Sequence, residues 1–374
     1  MKTIILTATA GEGHNSVARS LDNELKSRGF ESAIIDICQI NSNWLKDVAN
    51  GFYNMSINYF PTLYGAAYDS ADKKVQETNS AQPRKLAQKT LTGEIKKFID
   101  DFKPDAIIAT HVFAANILSD LVLDGFYTGL TVGIITDFTV HPFWEDSEGI
   151  DYLVLPHKDL DIQMQRKEIP LEKALHFGIP IHKKFFEHLD KKEMRGKLGL
   201  DEDKETVLLM SGSMSHVRVD KALKRIDKLP NDFQVVVFLG KRKTLLKKIE
   251  KMKLRHKIKI VGFVSNIEEY YSAADIIVTK PGGLTTSECI AKGLPMIVVD
   301  PIQGQEARNV EFLINHQLIL ASSKTYREVE ALNTFMNNDF VRDNILRSLE
   351  QNYLEDPAEK LIDFMVKKLS LIHI

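Results

Sequence analysis

Two glycine-containing segments carry the residue types that chemistry needs. The first, Gly11-Glu12-Gly13-His14-Asn15-Ser16, follows an apolar run from Met1 to Ala8. A strand that turns tightly into a helix offers backbone N–H groups to an anion or oxyanion. His14 adds an imidazole whose ordinary pKa lies near neutrality, which suits general-base work. The segment partly matches a dinucleotide fingerprint, with Ser16 where the third Gly or Ala would stand and Asp36 ending the next strand. The second segment runs Thr279-Lys280-Pro281-Gly282-Gly283-Leu284-Thr285-Thr286-Ser287-Glu288 and opens a helix reaching about Lys292. Its glycines let backbone approach a ligand closely, and its hydroxyls gather at a helix N-terminus, which together make a cradle for a diphosphate. Glu288, one turn in, either accepts from two ribose hydroxyls or only complements the helix dipole. The loop lacks the Walker lysine and its spacing, which argues against a nucleoside triphosphatase. A third polar cluster follows Asp300, where Gln305, Glu306 and Asn309 stand at i, i+1 and i+4. Amide and carboxylate groups so spaced suit sugar hydroxyls.

These segments need strand ends and helix starts to position them. The first half of the chain alternates strands and helices: strands at Met1–Ala8, Ser32–Ile37, Ala106–Thr110, Val132–Asp137 and Tyr152–Leu155, with a helix from Ser16 to Lys26. A second series follows, with strands at Thr206–Met210, Gln234–Leu239, Lys259–Phe263, Ile276–Thr279 and Pro295–Val299. Such alternation predicts parallel sheets covered by helices on both faces. The fold class is therefore α/β, with two doubly wound, Rossmann-like domains facing a cleft, and ligands lie beyond the carboxyl ends of the strands. The domains are expected at 1–190 and 191–356, with the C-terminal helix, 357–374, joining the first. His111 and Asp137, each at a strand end in the first half, face the same region as His14.

The 374 residues are 44% hydrophobic, enough for two cores, and carry 49 basic against 51 acidic residues. That near-neutral balance excludes binding of nucleic acid through bulk charge. Two cysteines, Cys38 and Cys289, exclude a disulfide scaffold and any Cys-rich metal site. No run of apolar residues is long enough to span a bilayer, and the start of the chain lacks the flanks of a signal peptide. A cytoplasmic protein, peripheral on the membrane, is expected.

Pro-Gly-Gly-x-Thr-Thr-x-Glu, with Gly-Gln-Glu-x-x-Asn placing Gln305 17 residues after Glu288, resembles the donor site of family 28 glycosyltransferases. Together with Gly-x-Gly-His at the first turn, Thr136-Asp137-Phe138 and His141-Pro142-Phe143-Trp144, the chain is most similar to the processive diacylglycerol glucosyltransferases and monogalactosyldiacylglycerol synthases. The resemblance implies a glycosyltransferase-B fold and an inverting, metal-independent hexosyltransferase with no cofactor. Its co-substrate would be UDP-glucose or UDP-galactose and its acceptor diacylglycerol. It implies that Gly212, Ser213, Pro281, Gly282, Gly283, Leu284, Thr285 and Thr286 hold the diphosphate, Phe263 and Val264 the uracil edge, Glu288 the ribose, and Gln305, Glu306 and Asn309 the sugar. His14 or Asp137 would be the base, with Gly13 and His111 on the acceptor side. Gln303 departs from the proline that many relatives carry. Competing readings on the same motifs are a lipid-linked N-acetylglucosaminyltransferase of peptidoglycan synthesis, a UDP-N-acetylglucosamine epimerase, and an inactive UDP-sugar sensor.

Between Trp44 and Tyr68 stand seven aromatics, where the overall 8% predicts two. Trp44, Phe52 and Tyr59, with the neighbouring Phe60, suit either packing on the first sheet or insertion among lipid headgroups. Lys241 to Lys259 holds ten Lys or Arg and one acid. It reads as a solvated face, or as a contact with an anionic lipid surface.

Overall fold

The computed structural model describes residues 1–9, 12–40, 81–210, 219–240, 242–302 and 304–372. Trp44, Phe52, Tyr59, Phe60, Gly212 and Ser213 lie outside them, as does Gln303. The chain forms two units. The first comprises Met1–Lys183, Ile302–Arg308 and Glu355–Ile374, and the second Lys184–Pro301 and Asn309–Leu354. The division thus falls between Lys183 and Lys184 rather than after 190, and a short piece bearing Gln305 and Glu306 groups with the first unit.

The first unit contains a six-stranded parallel sheet: β1 (Lys2–Thr7), β2 (Glu31–Asp36), β3 (Ala106–Ala109), β4 (Leu130–Ile134), β5 (Tyr152–Val154) and β6 (Ala174–Leu175). Its order is β2-β1-β3-β4-β5-β6. Strands β1, β3 and β4 are buried almost end to end, as a sheet covered on both faces requires. Helix α1 (Glu12–Ser27) follows β1 and buries Val17, Ala18, Leu21 and Leu25. It begins four residues before the expected start, so Gly13 and His14 occupy its first turn and not a preceding loop. Gly29, at φ +74°, ends the reversal after it. Helix α2 (Val112–Leu123) follows β3. The chain leaves β1 toward β2 on one side and returns to β3 on the other. The order therefore reverses between β1 and β3, and such a reversal opens a crevice at the strand carboxyl ends.

The second unit holds another six-stranded parallel sheet: β7 (Glu205–Met210), β8 (Phe233–Phe238), β9 (Lys257–Val261), β10 (Ile276–Thr279), β11 (Met296–Val298) and β12 (Ile319–Ala321). Its order, β12-β11-β10-β7-β8-β9, is that of a dinucleotide-binding sheet, with the reversal between β7 and β10. Helix α3 (Gly283–Ala291) follows β10, and helix α4 (Gln305–Asn315) follows β11.

The last helix, α5 (Pro357–Ile372), packs in the first unit with Leu361, Ile362 and Met365 fully buried. Asp356 starts it, its carboxylate accepting from Ala358 N at 2.9 Å, with proline at the first helical position. Arg28, past the end of α1, pairs with Asp363 of α5.

Candidate active site

Each unit carries its own group of residues. In the first unit the group gathers where the sheet order reverses. At the end of β2, Asp36 accepts hydrogen bonds from Thr9 N, the Thr9 hydroxyl, Cys38 N and Gln39 Nε2. This carboxylate braces its own loop, so the acid of the dinucleotide-like pattern is occupied. Asn15 ties the same loop to α1, accepting from the Thr7 hydroxyl at 3.0 Å and donating to the Thr9 hydroxyl at 2.8 Å.

His14 Nδ1 lies 2.8 Å from the carbonyl oxygen of Thr110 and 3.3 Å from the Thr136 hydroxyl. A carbonyl only accepts, so Nδ1 carries the proton and donates it to Thr110. In the neutral ring Nε2 then carries the lone pair. Burial lowers the pKa of His14, while the charge of Asp137 and the bond to Thr110 pull the other way. At neutral pH the ring is a fixed, uncharged base.

His111 is buried and begins α2 as its cap: its Nδ1 accepts from Phe113 N at 3.1 Å. Its ring stands edge-on to that of His14, with centroids 4.5 Å apart and planes at 75°. Burial, and then His14 and His141, push its pKa well down. As a capped, neutral residue it is not poised to take a proton from an acceptor. Asp137 accepts a hydrogen bond from Gln305 Nε2. Gln305, expected at the sugar, is thus engaged at the alternative base. Glu306 is drawn back to the backbone, accepting from Ile302 N at 2.6 Å.

In the second unit, the loop after β10 lies at that sheet's reversal. Gly282 caps α3 with extended backbone and no side-chain acceptor. The first bond within the helix runs from Thr286 N to Gly282 O at 2.9 Å. The amides of Gly283, Leu284 and Thr285 precede it and have no carbonyl one turn back, which makes them an anion cradle. Thr286 is 1% exposed, and its hydroxyl has no hydrogen-bond partner among the described residues. Ser287 is spent on its own helix, bonding Gly283 O at 2.9 Å. Asn309, fully buried, donates to Pro281 O at 2.9 Å. It braces the cradle from behind.

Glu288 is pushed up to about 8, first by burial and then by Glu268, against the opposing pull of Lys184 and the hydroxyl of Tyr271. At neutral pH it is largely a protonated acid. Lys184 is held by Glu268 at 2.6 Å and by Ser265 O at 2.6 Å. Tyr271 is fully buried. Neither Tyr271 nor Lys184 was legible as part of the site: the tyrosine sits on the apolar face of its short helix, and the lysine stands at the start of a charged stretch without periodicity. Beyond β9, Phe263 is 81% exposed and Val264 half-buried. A solvated aromatic ring at a strand end offers a stacking face as well as backbone.

Residues 14–181 match the monogalactosyldiacylglycerol (MGDG) synthase family, and residues 190–351 match the family of glycosyl transferases group 1. The processive diacylglycerol beta-glucosyltransferase of Bacillus pumilus (strain SAFR-032) is 26% identical over 379 residues, covering 99% of this chain and 96% of the relative. That of Bacillus subtilis (strain 168) is 24% identical over 378 residues, with the same shares. Among solved structures, MurG of Acinetobacter baumannii matches with a TM-score of 0.65 at 12% identity, over 98% of this chain and 100% of that one. UDP-GlcNAc 2-epimerase from Neisseria meningitidis, bound to UDP-GlcNAc, matches with a TM-score of 0.59 at 14% identity, over the same shares. These structures carry the fold, which is glycosyltransferase-B.

Proposed function

We propose, from the premise that the chain is a glycosyltransferase related along nearly its whole length to the processive diacylglycerol glucosyltransferases, that it moves glucose from UDP-glucose to the hydroxyl of diacylglycerol, giving a β-glycosyl-diacylglycerol. The observation that carries the reading is the fixed tautomer of His14, whose Nδ1–H donates to Thr110 O and leaves the Nε2 lone pair for an acceptor proton.

The reaction has one displacement. The acceptor hydroxyl gives its proton to His14 Nε2 as its oxygen attacks the anomeric carbon. The bond from that carbon to the diphosphate oxygen breaks on the opposite face, and UDP leaves with the electron pair. The sugar carbon passes through a state with oxocarbenium character. Asp137, whose charge favours the protonated imidazole, steadies the His14 cation as it forms. The amides of Gly283, Leu284 and Thr285, at the positive end of α3, take the charge developing on the diphosphate without a metal. Glu288 meets the ribose.

No helix among the described residues is long and apolar enough to cross a membrane. The enzyme meets its lipid at the cytoplasmic membrane surface, with anionic lipid assisting. The test is transfer of label from UDP-glucose, UDP-galactose or UDP-N-acetylglucosamine into lipid extracted from diacylglycerol vesicles. Labelled glycolipid from UDP-glucose is expected. UDP binding with no labelled lipid from any donor would refute the acceptor, and label from another donor would refute the sugar.

A further inference from the structure

We propose that His111 is a positioning residue for His14, a neutral ring that fixes the angle of the base and keeps water from its edge. This rests on His14 being the base. Three histidines of the first unit cap short or long helices in the same way. His111, His141 and His157 each accept at Nδ1 from the N–H two residues on, at 3.1, 3.0 and 3.1 Å. A cap needs only an acceptor, and Asn, Asp or Ser supplies one at least as well. Capping alone therefore gives no reason for an imidazole at 111. Of the three, His111 is the one whose ring reaches His14, edge-on at 4.5 Å.

The bond from Phe113 N sets both the tautomer and the tilt of the His111 ring. A ring accepting at Nδ1 holds its proton on Nε2 and is uncharged. It is 8% exposed, so it cannot swing out without breaking the start of α2. His14 is then held at three points: by Thr110 O and the Thr136 hydroxyl at Nδ1, and by the His111 ring at its side. The charged and titratable groups facing the pair are Asp137 at His14 and His141 at His111. Because burial and these two histidines disfavour a charge on His111, the reaction proton meets no second cation when it arrives on His14.

Two substitutions separate the ring from the cap. His111→Asn keeps an acceptor for Phe113 N and removes the ring. His111→Phe keeps a ring edge and removes the acceptor. Positioning predicts that His111→Asn lowers kcat on the order of tenfold with the KM for UDP-glucose unchanged, because a mis-aimed base costs turnover and not donor binding. The acid limb of its pH–rate profile moves up, as His14 opens to water and titrates closer to an ordinary histidine. His111→Phe keeps more of the rate and loses more thermal stability. Ring-15N NMR supplies a readout apart from turnover: the His14 Nδ1 proton, held to Thr110 O in the parent protein, exchanges faster with water in His111→Asn. An unchanged pH profile and unchanged exchange of the His14 Nδ1 proton in His111→Asn would overturn the proposal. So would equal losses of rate and melting temperature in both variants. If His14→Ala itself retains the parent rate, it is the assignment of the base that fails.

Discussion

Glu288 makes the second unit's stability depend on pH in a direction opposite to most carboxylates. Its pKa is pushed from 4.5 to about 8, chiefly by burial. Between those values the folded chain holds a proton that the unfolded chain has released. The contribution of Glu288 to stability therefore falls as pH rises from about 4.5 to about 8, and is constant on either side of that window. At ~1.4 kcal/mol for each pH unit, the ionised side chain costs up to about 5 kcal/mol above pH 8. Glu288→Gln removes the titration and keeps an oxygen that the buried Tyr271 hydroxyl can donate to, so no donor is orphaned. The assay is urea denaturation followed by circular dichroism at pH 4, 6, 8 and 9, in parent and variant. The two proteins should be equally stable at pH 4, and the variant ahead by several kcal/mol at pH 9. A difference that stays constant with pH would refute the reasoning, because it would mean that Glu288 ionises in the folded unit as it does in water. If Glu288 accepts from the ribose, donor binding draws it to the carboxylate form. UDP-glucose binding at pH 7 then releases up to one proton, measurable by calorimetry in buffers of different ionisation enthalpy.

Three further outcomes follow from the geometry. His14→Ala should lower kcat by about 10²–10⁴ while UDP-glucose still binds, and the acid limb of the parent kcat/KM profile should lie below that of an ordinary histidine, since burial lowers the pKa of His14. Asn309→Ala leaves the buried Pro281 carbonyl unsatisfied, at a cost of about 1–3 kcal/mol, and should raise the KM for the donor more than it changes kcat. Ile362→Ala opens a cavity under α5 and should cost about 2–5 kcal/mol in thermal or urea unfolding, with UDP binding unchanged because the residue packs in the first unit.

The strands were legible wherever an apolar run ended in a turn residue. Ile276–Thr279 is found to the residue, because Asp275 and Lys280-Pro281 bracket four residues that are all buried. The strands β6 and β12 were not legible. Two or three residues, Ala174–Leu175 and Ile319–Ala321, are too few to show a period. The start of α1 was missed because Gly11-Glu12-Gly13 reads as a turn, whereas Glu12 and Gly13 are already helical and only the dipole-favoured acid hints at it. The donor loop was legible as chemistry, since glycine, threonine and glutamate at a helix start have few other reasons to coincide. The tasks of individual polar residues were less so. Asn309 and Gln305 share a sequence cluster. One is buried against Pro281 O and the other donates to Asp137, 168 residues away in the chain.

That difference has a physical origin in how parallel sheets are assembled. Residue types at strand ends are local information, but which strand ends are neighbours depends on strand order, which local periodicity does not encode. The bond from His14 to Thr110 spans 96 residues. It exists because β1 pairs with β3, with Leu6 opposite Ala109, so that the residues leaving the two strands emerge side by side. Had the sheet run in simple sequence order, β2 would separate them. The reversal of order therefore does two things for His14. It provides a carbonyl that dictates the tautomer, and it sets the ring edge-on to His111. A histidine in the same glycine-rich segment on a sheet of another order would lack both contacts.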